Sequence, residues 1–104
     1  MSIIHADQNT FTQEVLHSDQ PVLVDFFATW CGPCKMLGNV LENMSRSAAN
    51  YKIVKVDIDQ NPELAQAWNV FSVPSVFIVK NGKIADSMVG FQSQQVLEHK
   101  IQNI

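Results

Sequence analysis

Between Pro21 and Thr29 the chain carries Val22-Leu23-Val24-Asp25-Phe26-Phe27-Ala28, an apolar run of strand length broken by a single charge at Asp25. Apolar side chains at successive positions leave neither face of such a strand for water. A strand of this kind belongs at the centre of a sheet covered on both sides. That demand excludes a two-layer arrangement with one wet face and selects an α/β architecture.

The flanking sequence supplies the cover. Ser2 to Ala6 reads as a short edge strand, and Phe11, Val15 and Leu16 give helical spacing over Thr10 to His17. Thr10 with Gln13 has the spacing of a capping box. Met36, Leu37, Val40, Leu41 and Met44 form a helical stripe after the central strand. Ile53 to Ile58 reads as a strand, and Asn61-Pro62 opens a short helix with Asn as N-cap and Pro at its first position. Ser75 to Lys80 is a further core strand. Asn81-Gly82 turns it into an antiparallel partner, Lys83 to Val89, which Gly90 ends. Ser93 caps a last helix carrying Val96, Leu97 and Ile101. The order β-α-β-α-β-α-β-β-α predicts a mixed central sheet of about five strands flanked by about four helices. The 104 residues suit a single domain over 1–104.

Composition narrows the function. A net charge of −3 leaves no basic footprint, so no nucleic-acid partner is expected. No apolar run is long enough to span a membrane. Met1-Ser2-Ile3-Ile4-His5-Ala6-Asp7 lacks a basic stretch ahead of an apolar one, so a cytoplasmic location is expected. There are two cysteines, too few for a disulfide framework. His5, His17 and His99 make no ligand spacing with them, so no metal site is expected.

Cys31-Gly32-Pro33-Cys34 lies just past the central strand and opens a helix. Open α/β sheets carry their sites outside the strand ends. A helix start presents unpaired N–H groups and partial positive charge, which stabilise an anion. A thiolate at Cys31 gains from both. A cysteine of pKa ~8.5 is only a few per cent thiolate at pH 7, and one of ~7 is about half. The spacing makes Cys31 the exposed attacking thiol and Cys34, one turn further in, the buried resolving thiol. Gly32 allows the tight turn, and Pro33 fixes the helix entry. By itself a Cys-x-x-Cys leaves an inert or metal-binding pair open.

The sequence resembles the thioredoxin family over nearly its whole length. The likeness is carried by Val24-Asp25-Phe26-Phe27-Ala28-Thr29-Trp30-Cys31-Gly32-Pro33-Cys34-Lys35-Met36, Lys55-Val56-Asp57-Ile58-Asp59-Gln60-Asn61-Pro62, Val73-Pro74-Ser75, Lys80-Asn81-Gly82 and Val89-Gly90. The resemblance implies a thioredoxin fold, a monomer, and reduction of protein disulfides by a Cys31–Cys34 dithiol. It also implies electrons reaching the pair from NADPH through a thioredoxin reductase, with no cofactor bound by this chain. Asp25 is expected to be buried with a raised pKa and to move a proton to or from Cys34, although alone it reads as a strand-end carboxylate. Lys55 matches the family lysine near that carboxylate and would oppose the raised pKa; alone it reads as an exposed strand lysine. Pro74 matches a cis-proline, which would set the Val73 backbone against the cysteines to pair with an extended substrate. Trp30, Gly90 and Phe91 would complete an apolar docking surface.

The sequence departs from the family pattern in three places. Gly38-Asn39 stands where a helix-kinking proline is common, so a straighter helix is expected. Phe27 stands where tryptophan is common, which removes an indole N–H near Asp25. The chain is also one residue shorter between Cys34 and Lys55. Two alternative functions remain: a disulfide oxidant or isomerase, and a structural binding module whose thiols are dispensable.

Overall fold

The computed structural model describes residues 3–104. The strands are β1 (Ile4–His5), β2 (Val22–Phe27), β3 (Lys52–Asp57), β4 (Ser75–Lys80) and β5 (Lys83–Val89). The α-helices are α1 (Gly32–Ser45), α2 (Pro62–Ala67) and α3 (Gln94–Gln102), and a π-helical turn spans Thr12–Leu16. The sheet order is β1-β3-β2-β4-β5. β2 runs parallel to β3 and antiparallel to β4, so the strand with the apolar run is central. Of the expected edge strand Ser2 to Ala6, Ser2 lies outside the described residues, and the paired part is Ile4–His5.

Alternation along β2 divides its side chains between two cores. Leu23 packs with Ile53, Val76 and Ile78 against Leu37, Leu41 and Met44 of α1 and Leu97 and Ile101 of α3. Val22, Val24 and Phe26 face the other way, onto Phe11, Val15 and the partly buried Leu64 and Trp68. There Trp68 stacks edge-on against Phe11 and Phe77, with ring centroids 5.2 and 5.0 Å apart. Both faces of the central strand are therefore covered by helices, as its composition requires. Asp25 falls on the α1 face, in register with Lys55 of β3.

The hairpin and the last helix follow their local signals. Asn81 and Gly82 both have positive φ, 53° and 75°, the type I′ geometry that Asn-Gly favours. A Cβ at Gly82 would meet the Leu16 carbonyl at 3.0 Å, so the hairpin tip also needs glycine for close approach. Ser93 Oγ accepts from Val96 N–H at 3.2 Å and caps α3.

Three expectations are corrected. Thr10 and Gln13 do not form the capping box. Asp7 Oδ1 accepts from the N–H groups of Asn9 and Thr10, and Asp7 N–H donates to Thr10 Oγ1, so the reciprocal pair is Asp7 with Thr10. Asn61 precedes α2, but its side chain makes no cap; it accepts from Gln8 N–H and donates to Asp57 O. Tying two connections together wins over capping a six-residue helix. Met36 and Val96 are exposed, because the buried stripes begin one residue later, at Leu37 and Leu97.

Truncating Leu41 therefore opens a cavity between α1 and the sheet, while truncating Val96 removes only surface. Denaturant unfolding should find Leu41→Ala destabilised by about 2–5 kcal/mol and Val96→Ala by under about 1 kcal/mol.

Candidate active site

β2 ends at Phe27, and Cys31 follows after the three-residue turn Ala28-Thr29-Trp30. Cys31 is extended (φ −94°, ψ 116°) and is the N-cap of α1. Its Sγ accepts from the Cys34 N–H at 3.1 Å, the place usually held by a Ser or Asp oxygen. The sulfur thus lies on the positive end of α1 with a backbone donor aimed at it. Pro33 sits in the first turn, where the missing N–H is not needed. Cys31 and Cys34 are joined as a disulfide, with Cα atoms 5.2 Å apart. Among the described residues no group of His, Cys, Asp and Glu could hold a metal ion.

Exposure does not separate the two sulfurs as expected. Cys31 is only 5% exposed and Cys34 2%. Cys31 is covered because Ala28, Ile58 and Val73 close around the pair. The cysteines differ instead in the space each faces. Cys31 lines an open groove of about 500 Å³ with Trp30, Pro33, Ile58, Phe71 and Val73. Cys34 lines a separate cavity of about 270 Å³ with Phe27, Ala28, Lys35 and Lys55.

The Val73–Pro74 peptide bond is cis. It carries the Val73 carbonyl to 3.7 Å from Cys31 Sγ. Gly90 (φ 91°) donates its N–H to Pro74 O at 2.8 Å, which ties the end of β5 to this loop. Phe91 follows, exposed. Trp30 is 69% exposed, and its indole N–H donates to Asp59 Oδ2 at 2.8 Å. That bond satisfies the ring's one polar atom and leaves its face free. Trp30, Gly32, Pro33 and Val73 thus meet at the groove, with Pro74 buried behind Val73 and Gly90 bonded to it.

Asp25 is fully buried, and neither carboxylate oxygen has a hydrogen-bond partner. Burial pushes its pKa up to about 7, against the pull of the Lys55 ammonium. Lys55 does not form an ion pair with it. Its Nζ lies over the Phe27 ring, 4.4 Å from the centroid. The same Nζ is 3.5 Å from where a Cβ on Gly38 would stand. The ammonium therefore sits between the β2 aromatic and the bare helix position, and α1 runs unbroken through Gly38-Asn39.

The family model for thioredoxin matches residues 2–103. The chain belongs to the thioredoxin family. The thioredoxin of Chlorobaculum thiosulfatiphilum is 41% identical over 97 residues, 92% of this chain and 90% of that protein. The thioredoxin of Griffithsia pacifica is 41% identical over 103 residues, 98% of this chain and 94% of its own. That of Bacillus subtilis is 38% identical over 102 residues, 97% and 96% respectively. This chain is accordingly a thioredoxin-type oxidoreductase with a redox-active Cys31–Cys34 pair.

Sequence reasoning missed Phe71, the most exposed large apolar side chain at 89%. The signal available was an apolar residue standing in the loop Asn69-Val70-Phe71-Ser72, just ahead of Pro74.

The buried carboxylate makes folding stability pH-dependent. Below about pH 4 Asp25 is protonated in both folded and unfolded chains and contributes nothing. From there to about pH 7 the unfolded chain has released the proton and the folded chain keeps it, so stability falls as pH rises. Above about pH 7 the full penalty applies, on the order of 4 kcal/mol. Denaturation of the oxidised protein across this range should show Asp25→Ala lacking the decline and more stable than wild type at about pH 8. Identical slopes in the two proteins would exclude the assignment.

Proposed function

We propose that this chain reduces protein disulfides in two thiol–disulfide exchange steps. The Cys31 thiolate attacks one sulfur of a substrate disulfide, and the substrate's other sulfur leaves as a thiolate and takes up a proton. Cys34, deprotonated, then attacks Cys31 Sγ, breaks the mixed disulfide and releases the second substrate thiol. Two electrons pass from the Cys31–Cys34 dithiol to the substrate, and the chain is left as the disulfide observed here. A thioredoxin reductase using NADPH restores the dithiol.

One observation carries the reading: the Cys31 sulfur is itself the helix cap. The Cys34 N–H and the α1 dipole stabilise negative charge on that sulfur in the attacking thiolate. The groove above Cys31 supports its role as the attacking atom, since a substrate sulfur reaches the pair from that side. The inner position of Cys34 suits resolution.

In the second step Cys34 must lose a proton. Asp25, titrating near neutral pH with unpartnered oxygens, serves as acceptor, through water. Lys55 supports the link, for it pairs in register with Asp25 and lines the Cys34 cavity. It modulates the proton transfer by favouring the ionised carboxylate. Docking falls to Trp30, Val73, Pro74, Gly90 and Phe91. The Val73 backbone, set beside Cys31 by the cis bond, takes up an extended substrate chain as a short strand pair. The Gly32-Pro33 pair between the cysteines favours a reductant over an oxidant.

Insulin reduction coupled to NADPH and a thioredoxin reductase should be lost in Cys31→Ser. Cys34→Ser should accumulate covalent complexes with the substrate. Full activity in Cys31→Ser would reject the mechanism. Redox titration should give a midpoint near the value known for thioredoxins, about −270 mV; a value near about −120 mV would make the chain an oxidant.

A further inference from the structure

The groove above Cys31 has two aromatic walls, and only one of them belongs to the cysteine segment. Trp30 is one, its N–H held by Asp59. Phe71 is the other, from the loop between α2 and β4. No charged side chain lines the groove. Phe71 is exposed, yet its loop is anchored at both ends. On the N-terminal side α2 closes in a Schellman motif: Val70 N–H donates to Ala65 O at 2.8 Å and Asn69 N–H to Gln66 O at 3.1 Å. Asn69 takes the left-handed conformation that this requires, φ 56°. On the C-terminal side Ser75 Oγ donates to Ser72 O, next to the cis bond at Pro74. The backbone is thus fixed on either side of a large apolar ring that is 89% exposed.

A single exposed apolar residue needs no explanation. Phe71 differs because it shares with a second exposed aromatic, Trp30, the lining of the groove onto which the 5%-exposed Cys31 opens. A chain that reaches Cys31 through this groove meets both rings among its lining. The occupant is therefore the substrate segment that bears the disulfide. A charged side chain entering there would lose water and meet no partner, whereas an apolar one would bury surface against both rings.

We propose that Phe71 is a specificity-determining residue, selecting disulfides whose cysteine lies two residues from a bulky apolar side chain in an extended segment. Two residues is the spacing that places two side chains of an extended chain on one face. One then presents its sulfur to Cys31 while the other lies against Phe71. This inference rests on the reductase reading and names the substrate class of that site.

The test uses the full chain, reduced beforehand with dithiothreitol, in single-turnover reactions. The substrates are synthetic peptides with one cysteine as its mixed disulfide with thionitrobenzoate, differing only in Leu, Ser or Glu two residues from that cysteine. Cys31 attacks the peptide sulfur, thionitrobenzoate leaves with the electron pair of the broken bond, and Cys34 then frees the peptide thiol. The second-order rate constant should be about tenfold higher for the Leu peptide than for the Glu peptide. Phe71→Ser should reduce that ratio to near one, and Phe71→Leu should keep most of it. A ratio unchanged in Phe71→Ser, or near one in wild type, overturns the proposal while the reductase reading stands. Reaction with none of the peptides overturns both.

Discussion

The Cys34 N–H to Cys31 Sγ contact joins the fold to the chemistry. A helix that begins at a buried strand end must satisfy its first N–H groups, and this helix uses a sulfur to do so. The identity of the cap fixes where α1 starts, and Pro33 in the first turn keeps the start there. Cys34 is held one turn in by the same bond. The positive helix end then bears on Cys31 without any charged side chain beside it. Backbone placement puts the helix end on this sulfur, and that backbone is set by the central strand, which delivers residue 31 just beyond its C-terminal end.

That central strand also contains the structure's largest electrostatic conflict. Asp25 sits on the α1 face, in line with Leu23 and Phe27, where nothing bonds either of its oxygens. A Lys55 ammonium in direct contact would hold the carboxylate ionised. Phe27 draws it onto an aromatic face instead, and Gly38 leaves it room. Burial therefore outweighs attraction, and the carboxyl titrates near neutrality. Two of the three departures from the family pattern, Phe27 and the Gly38-Asn39 pair, meet at this one ammonium through Phe27 and Gly38. On the proposed mechanism, fine control of the proton lies there.

Most of the fold was legible because its signals are local. Asn81-Gly82 demands two positive φ values, Ser93 supplies an oxygen at the right spacing, and seven nearly apolar residues demand cover on both faces. The errors lie where a side chain had two possible partners. Asn61 could cap α2 or tie Gln8 to Asp57, and only the fold brings Gln8 near. Met36 and Leu37 both suit a helical stripe, and the sheet decides which of them it covers. At the site, Cys31 was read as exposed from its place in the chain. Its cover comes from Ile58 and Val73, which are distant in sequence. The place of Phe71 is illegible for the same reason: a loop residue becomes a groove wall only when the fold brings its loop beside Cys31, which is distant in sequence.

Burying both sulfurs has a consequence for how the pair can work. If Cys31 were open and Cys34 closed, exposure alone would choose the attacking atom, and any small oxidant could reach it. Here the two are covered almost equally and differ in the space each faces. Trp30 and Phe71 line the groove at Cys31, and Lys55 lines the smaller cavity at Cys34. The groove beside Cys31 is about 500 Å³ and lined mainly by apolar side chains, while the space beside Cys34 is about 270 Å³ and includes the Lys35 and Lys55 side chains. On the proposed mechanism, electrons therefore reach the pair from the groove and protons from the space beside Cys34.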